Sequence, residues 1–423
     1  MKQLPQGHGK YEVGAMDIMT ERSEEKPDGC FLRIYYPTML NSEAAKGLSS
    51  SSSMKSNISE CNYYSPEKQN NISWLPKSQY RDGYIRFIGK ENSTLYNCLF
   101  NWFGGNVLIP VLWMSPVFSD DNINKFPVVI FSHGLGGMRT TYSTICIDLA
   151  SHGFIVVAVE HRDGSASATY YLNECSLFDE EGSNIDKSDS IGRVFEEEWK
   201  MYEQHNRDDF VLRNKQVKIR QQECIQALEL LHKLNNGETI SNLLDTNMSS
   251  DLFKEHLDLS NVCIAGHSFG GATTIMVLAK DKRFRAGVVL DGWMLPLEDN
   301  IYAQVTQPVL MLNTETFQWK RNVLKMKNLE CTEQNRIMLT ILGTCHQSST
   351  DFQFLCSHYM GRIMKFCHNL APNDTIDITG KIVRGFLCKI LGITDKELHE
   401  DLLTGKHEWL ICGTNVNLQK TGH

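Results

Sequence analysis

Apolar residues along this chain come in short unbroken runs, not in alternation with polar ones. Phe126–Phe131, Phe154–Glu160, Val262–Ala265, Gly287–Asp291, Pro308–Asn313 and Ile337–Ile341 are such runs. Runs of this length predict strands buried on both faces, the mark of a parallel sheet covered by helices. Between them the spacing changes to that of helices. Val217, Cys224, Ile225, Leu228 and Leu231 share one face of a helix predicted over Asn214–Leu234, and a second helix is predicted over Thr140–His152. Ala272, Ile275, Met276 and Ala279 repeat at helical spacing behind the third strand. Strand, helix, strand in succession is the order of a parallel α/β sheet.

The chain opens with a hairpin made of Tyr11–Gly14 and Phe31–Pro37. Residues 84–105 carry a roughly helical pattern in which Leu95, Leu99, Trp102 and Phe103 fall on one face. That face has two readings, packing on the core or a lid turned to lipid or substrate. From Asp351 onward the pattern is helical until an extended tail at Gly413–Asn417. Residues 38–72, with Ser49–Ser53 in a row, read as a disordered surface loop. Residues 176–210, acidic at Asp179–Glu181 and Glu196–Glu198, and residues 236–258 read as surface insertions. No internal repeat interrupts the order, so residues 1–423 are expected to form one elaborated α/β domain.

Composition narrows the class without changing the fold. A net charge of −8 and the lack of a long basic run argue against nucleic acid as a partner. Thirteen cysteines, irregularly spaced and without a Cys-x-x-Cys pair, support neither a zinc site nor a redox motif. Cys146, Cys224 and Cys263 sit in apolar patterns, as small buried hydrophobes of a reducing compartment do. Residues 1–8 lack an apolar signal core and a Met-Gly start, and no 18-residue apolar window is present. The expectation is a cytoplasmic protein, associated with membranes at most peripherally. A longer N-terminus together with the sequons at Asn57, Asn71, Asn92, Asn247 and Asn373 would instead indicate secretion.

Chemistry concentrates where the third strand meets its helix. Gly266-His267-Ser268-Phe269-Gly270 fits Gly-x-Ser-x-Gly between a strand and a helix, the setting of a nucleophile elbow. A serine there lies on a sharp corner, so its neighbours two positions away must be small. The fold class implied is an α/β-hydrolase, whose acid follows a later strand and whose histidine comes last. Asp291 ends the strand after the elbow, and His346 lies in the loop after Ile337–Leu342. Asp281 and Asp351 compete for the acid, though neither directly follows a buried strand. Of the fourteen histidines, His346 stands at the end of a late buried strand, whereas His358 and His368 belong to helical segments and His399 and His407 to polar ones. His267 would flank Ser268, not deprotonate it. The Gly-rich His133–Gly137 turn offers the amide of Leu135 as an oxyanion donor beside that of Phe269. Its spacing fits no phosphate-binding loop, so no nucleotide is expected. Acyl transfer through Ser268, His346 and Asp291 requires neither metal nor cofactor.

These residues resemble the platelet-activating factor acetylhydrolases of the α/β-hydrolase type. The similar segments are Phe131–Gly136 with Arg139-Thr140, Glu160–Asp163 with Ser165–Tyr170, Gly266–Ala272, Leu290–Trp293, His346-Gln347 with Asp351-Phe352, and Gly413–Asn415. The resemblance runs from about residue 8 to about 417, interrupted by the 38–72 loop and the excursion in the 240s. It implies a calcium-independent esterase acting on phospholipids with a short or oxidised sn-2 acyl chain, with Ser268, Asp291 and His346 as triad. It also implies peripheral contact with a membrane or lipoprotein surface through two apolar helical patches. Here these fall near 92–103 and 359–366, where Tyr359, Met360, Ile363 and Met364 keep an apolar face. The first patch departs from the family in carrying Asn92, Ser93 and Thr94 where a more apolar group is expected. The competing functions are a general short-chain or peptide-acting hydrolase and a non-catalytic lipid-binding protein on the same fold.

Overall fold

The computed structural model describes residues 2–22, 29–39, 72–119, 123, 125–174, 195–245, 248–329, 336–394 and 400–418. Its centre is a ten-stranded sheet. In chain order the strands are β1 (Glu12–Met19), β2 (Phe31–Thr38), β3 (Leu112–Trp113), β4 (Phe126–Ser132), β5 (Ile155–Val159), β6 (Leu257–His267), β7 (Phe284–Leu290), β8 (Val309–Thr314), β9 (Ile337–Ile341) and β10 (Leu410–Cys412). Their spatial order is β10-β9-β8-β7-β6-β4-β5-β2-β1-β3. The six strands from β9 to β5 run parallel to their neighbours, as the double-sided apolar runs require. The β1–β2 hairpin and β10 close the two sides antiparallel.

Within each strand the side chains alternate between two cores. Val129, Phe131, Ala265 and Leu290 belong to one, with Ile145 and Leu149 of helix α3 (Ser143–Ser151) and Ile382 and Phe386 of helix α7 (Pro372–Leu391). Val128, Ile130, Ile264 and Val289 belong to the other. They pack with Val217, Leu228 and Leu231 of helix α4 (Phe210–Asn235) and with Ile275 and Met276 of helix α5 (Phe269–Lys280). Asp209 starts α4 by accepting the amide of Leu212 at 3.1 Å, so the helix runs four residues further back than its apolar pattern suggests.

Several segments differ from the sequence reading. Residues 84–105 are not one helix. A turn separates helix α1 (Ser78–Phe87) from helix α2 (Thr94–Gly104), and Ser93 caps the second by accepting the amide of Tyr96. The departing Asn92-Ser93-Thr94 segment is therefore a helix start. The C-terminal strand is Leu410–Cys412, just before the Gly413–Asn417 tail, because its partner Leu339–Ile341 faces those residues. His358 lies in helix α6 (His358–Ile363), but His368 is in the loop that follows.

Residues 40–71, the bulk of the 38–72 loop, lie outside the described residues, as do 176–194 of the 176–210 stretch. Phe195–Met201 is a strand antiparallel to Ala168–Glu174. The 236–258 excursion is tied to the hairpin, where Asn242 Oδ1 accepts the amide of Met19 at 3.0 Å.

Candidate active site

Register brings the functional residues together. Gly266 lies opposite Ser132, and His267 lies opposite Leu290. The elbow therefore stands level with the ends of β4 and β7, from which the Gly-rich loop and Asp291 emerge. Ser268 has φ 57° and ψ −115°, a conformation that costs about 1–3 kcal/mol and persists only when its surroundings enforce it. They do so on both sides. The Ser268 amide donates to Leu290 O at 2.9 Å, and the amide of Trp293 donates to Ser268 O at 2.9 Å. A Cβ on Gly266 would lie 2.1 Å from Gly270 O, and one on Gly270 would lie 2.0 Å from Ser132 O. Both glycines are therefore obligatory.

His346 Nε2 is 3.0 Å from Ser268 Oγ, and His346 Nδ1 is 2.6 Å from Asp291 Oδ2. With its Nδ1 proton fixed by the carboxylate, His346 presents Nε2 as the acceptor for the serine proton. Asp291 is buried and itself at positive φ, 49°. Its oxygens also accept from the Thr314 amide at 2.8 Å and from Thr314 Oγ1 at 2.7 Å, so both carboxylate oxygens are engaged. The ring of Phe317 lies on that of His346, with centroids 3.6 Å apart and planes at 20°.

The rival acids fall elsewhere. Asp281 pairs with Arg283 at the surface end of α5. Asp351 is buried and caps α3 by accepting the amides of Ser143 and Thr144 at 2.7 and 2.9 Å, and it also accepts Trp74 Nε1 at 2.9 Å. Burial pushes its carboxyl up to about 7 despite these donors. A second Ser-His-Glu set exists beneath the site. Ser132 Oγ is 2.7 Å from His161 Nε2, and His161 Nδ1 is 2.6 Å from Glu223 Oε2. All three residues are buried and none lines the cavity over Ser268, so a substrate does not reach them.

The Gly-rich loop lies directly against the elbow. A Cβ on Gly134 would meet Ser268 Cβ at 3.2 Å. Arg220 of α4 holds this loop from below, donating to His133 O at 2.6 Å while its guanidinium lies 4.2 Å from the centre of the Phe269 ring. The amides of Leu135 and Phe269 donate to no other group among the described residues, which leaves both available to an oxyanion.

His267, Asp291 and His346 place one donor atom each within 4.8 Å of one another, the one such trio among the described residues. Those atoms are already engaged. Both His346 nitrogens serve the Ser268–Asp291 chain, and the two His267 nitrogens meet Tyr142 Oη at 2.9 Å and His346 O at 3.0 Å. A metal would have to break these bonds, so the trio is better used as hydrogen-bonded acid–base machinery.

Above Ser268 opens a cavity of about 530 Å³, lined by Tyr84, Phe87, Leu99, Phe103, Phe352 and Phe366 among others. Of the helical residues singled out in sequence, Leu99 and Phe103 line this cavity, as does Met364. Leu95 and Trp102 point to solvent, 64% and 80% exposed, and Met360 and Ile363 are exposed on α6. Residues 84–105 thus serve both surfaces: Tyr84 and Ile85 are buried, Phe100 and Phe103 pack against the core, and Leu99, Phe100 and Phe103 line the cavity.

A hydrogen-bonded chain of Ser268, His346 and Asp291 beneath an apolar cavity suits ester chemistry on a lipophilic substrate, and comparison with known proteins decides the family. The family model described as "Platelet-activating factor acetylhydrolase, isoform II" matches residues 1–50 and 54–409. The chain belongs to this family. Relatives named platelet-activating factor acetylhydrolase include one from Canis lupus familiaris, 36% identical over 98% of this chain and 83% of its own length. One from Gallus gallus is 37% identical over 99% of this chain and 91% of its own. A protein named "Putative phospholipase A2" from Schizosaccharomyces pombe is 29% identical over 74% of this chain and 76% of its own. Among solved structures, a ferulic acid esterase from Streptomyces cinnamoneus superposes with a TM-score of 0.57 at 15% identity, covering 97% of this chain and 99% of that one. That likeness supports the α/β-hydrolase fold. In this member of the acetylhydrolase family, the structure brings together Ser268, Asp291, His346 and the Gly-rich loop that the sequence singled out. Sequence reasoning missed Thr314, Phe317 and Tyr142, which carry no local motif.

Proposed function

We propose that this chain is a serine esterase that hydrolyses the sn-2 acetyl, or a short or oxidised acyl, ester of phospholipids such as 1-alkyl-2-acetylglycerophosphocholine. The products are the lyso-phospholipid and acetate or the short acid. The observation that carries the reading is the continuous hydrogen-bonded chain from Ser268 through His346 to Asp291, opening into an apolar cavity in a chain of this family.

Ser268 Oγ attacks the ester carbonyl as His346 Nε2 takes its proton. Asp291 holds the imidazole in the required tautomer and stabilises the imidazolium. The amides of Leu135 and Phe269 receive the oxyanion; one such donor is worth about 10²–10³ in rate. His346 then protonates the departing glycerol oxygen, and the same base activates the water that releases the acyl group from Ser268. Every proton moves through side chains of the protein, so calcium has no step to serve.

Exposed Leu95 and Trp102 on α2, whose Leu99 and Phe103 line the cavity, with exposed Tyr359 and Ile363 on α6, give the enzyme an apolar surface for peripheral contact with a membrane or lipoprotein surface. No described helix is long and apolar enough to cross a membrane. Cys146, Cys224 and Cys263 are buried free thiols, with that of Cys263 pushed up by burial to about 12, which suits a reducing compartment such as the cytoplasm.

The test is covalent. A fluorophosphonate should label Ser268 stoichiometrically, and Ser268→Ala should abolish both labelling and release of acetate from the sn-2 acetyl phospholipid while keeping its circular-dichroism spectrum. An unlabelled Ser268, or turnover in the alanine variant, would overturn the assignment. Equal kcat/KM for simple esters or acyl-peptides would favour a general hydrolase instead.

A further inference from the structure

Behind the reacting atoms runs a second hydrogen-bonded chain. The amide of Gly134 donates to Tyr142 Oη at 2.9 Å, Tyr142 Oη is 2.9 Å from His267 Nδ1, and His267 Nε2 is 3.0 Å from the carbonyl oxygen of His346. Tyr142 and His267 are buried, His346 is partly buried, and the rings of His267 and His346 lie 4.4 Å apart.

The direction of every bond follows from its last member. A carbonyl only accepts, so His267 Nε2 must carry the proton. In the neutral ring Nδ1 is then an acceptor, so the tyrosine hydroxyl must donate to it. That leaves the Tyr142 oxygen lone pairs to accept from Gly134 N–H. No donor faces a donor anywhere along the chain. Burial, and the adjacent His346, hold the His267 pKa well below the usual imidazole value. Burial raises the Tyr142 hydroxyl pKa, so both residues keep the proton states the chain needs at neutral pH.

We propose that His267 and Tyr142 act together as positioning residues, clamping the oxyanion loop at Gly134 and the catalytic base at His346 to each other across the nucleophile elbow. The clamp begins one residue before Leu135 and ends on the backbone of His346. It thus fixes the distance between the group that binds the developing negative charge and the group that takes the proton. Ser268 lies next to His267 in the chain, so one residue of the elbow motif sets the frame for its own nucleophile. Misplacing such groups by about 1 Å typically costs about a hundredfold in rate without weakening ground-state binding. The inference rests on Ser268 and His346 being the catalytic pair.

The test compares Tyr142→Phe, His267→Leu, the double variant and His267→Gln on a short-chain ester and on the sn-2 acetyl phospholipid. Glutamine is the conservative replacement because its amide offers one acceptor and one donor, as neutral histidine does. Active sites are counted by fluorophosphonate titration, so that kcat refers to competent enzyme and not to the folded fraction. The expected result is a fall in kcat of about tenfold to a hundredfold for each single variant, with KM unchanged. The double variant should lose no more than the worse single one, because either change breaks the same chain. His267→Gln should recover most of the loss relative to His267→Leu. Losses that multiply in the double variant, or a glutamine variant as poor as the leucine one, would overturn the clamp. Failure of the wild-type protein to label at Ser268 would instead overturn the catalytic assignment beneath it.

Discussion

Phe317 lies face to face on His346, its ring centre 3.6 Å from the imidazole. A flat aromatic in that position restrains the base from rotating away from Ser268 and stabilises it once it is charged, a cation–π contact worth about 0.5–2 kcal/mol. Phe317→Leu should therefore lower kcat by about tenfold, since a base free to rotate spends less time within reach of Ser268. Steady-state kinetics with titrated enzyme check this. An unchanged kcat would show that the ring serves packing alone.

Asp291 makes three hydrogen bonds, and two of them come from Thr314. Asp291→Asn should reduce kcat by about 10⁴, because an amide leaves His346 in the wrong tautomer. Thr314→Val should cost far less, about tenfold, by removing one donor from the carboxylate while keeping its shape. Steady-state kinetics with titrated enzyme separate the two. Equal losses would mean that Thr314 holds the loop and not the charge.

Asp17 is buried between Arg33 at 2.6 Å and Arg139 at 2.8 Å, and Arg139 also pairs with buried Glu160. Burial alone would raise the Asp17 pKa, but the two guanidinium groups hold it down to about 2. A carboxylate with a depressed folded pKa contributes stability above its unfolded value near 4, and this is lost as pH falls through about 2. Asp17→Asn should destabilise by about 3–5 kcal/mol, since it leaves buried positive charge uncompensated. It should also remove that part of the acid dependence. Urea denaturation at several pH values measures both. An unchanged acid slope would place the titration elsewhere.

Trp102 is 80% exposed on helix α2, whereas Leu99 on the same helix lines the cavity. Trp102→Asp should therefore lower turnover of sn-2 acetyl phospholipid in vesicles severalfold and leave hydrolysis of a soluble acetate ester unchanged. Leu99→Asp should impair both. Vesicle co-sedimentation run beside the two assays gives the binding change directly. Equal loss on both substrates for Trp102→Asp would refute an interfacial role for the outer face of the helix.

What was legible in the sequence was whatever chemistry is written locally. Double-sided apolar runs announced the parallel strands, because a strand covered on both faces has no polar face to show. Gly266 and Gly270 announced the elbow, because no Cβ fits against Gly270 O or Ser132 O. Asp291 and His346 were reachable because each follows a buried strand, and strand ends are where such a sheet presents its ligands. Family resemblance then supplied the ester. Tertiary structure decided the pairings between residues far apart in sequence. Thr314 and Phe317 gained their roles from the register of β8 beside β7, and Asp17 met Arg139 through the packing of the hairpin against the loop after β4. It also turned residues 84–105 into two helices with Leu99 facing inward and Trp102 facing outward. His267 shows the difference most directly. In sequence it is the variable position of a motif. Only the fold brings its two nitrogens between Tyr142 and the backbone of His346, because a hydrogen bond depends on distance and direction in space and leaves no periodic trace in the chain.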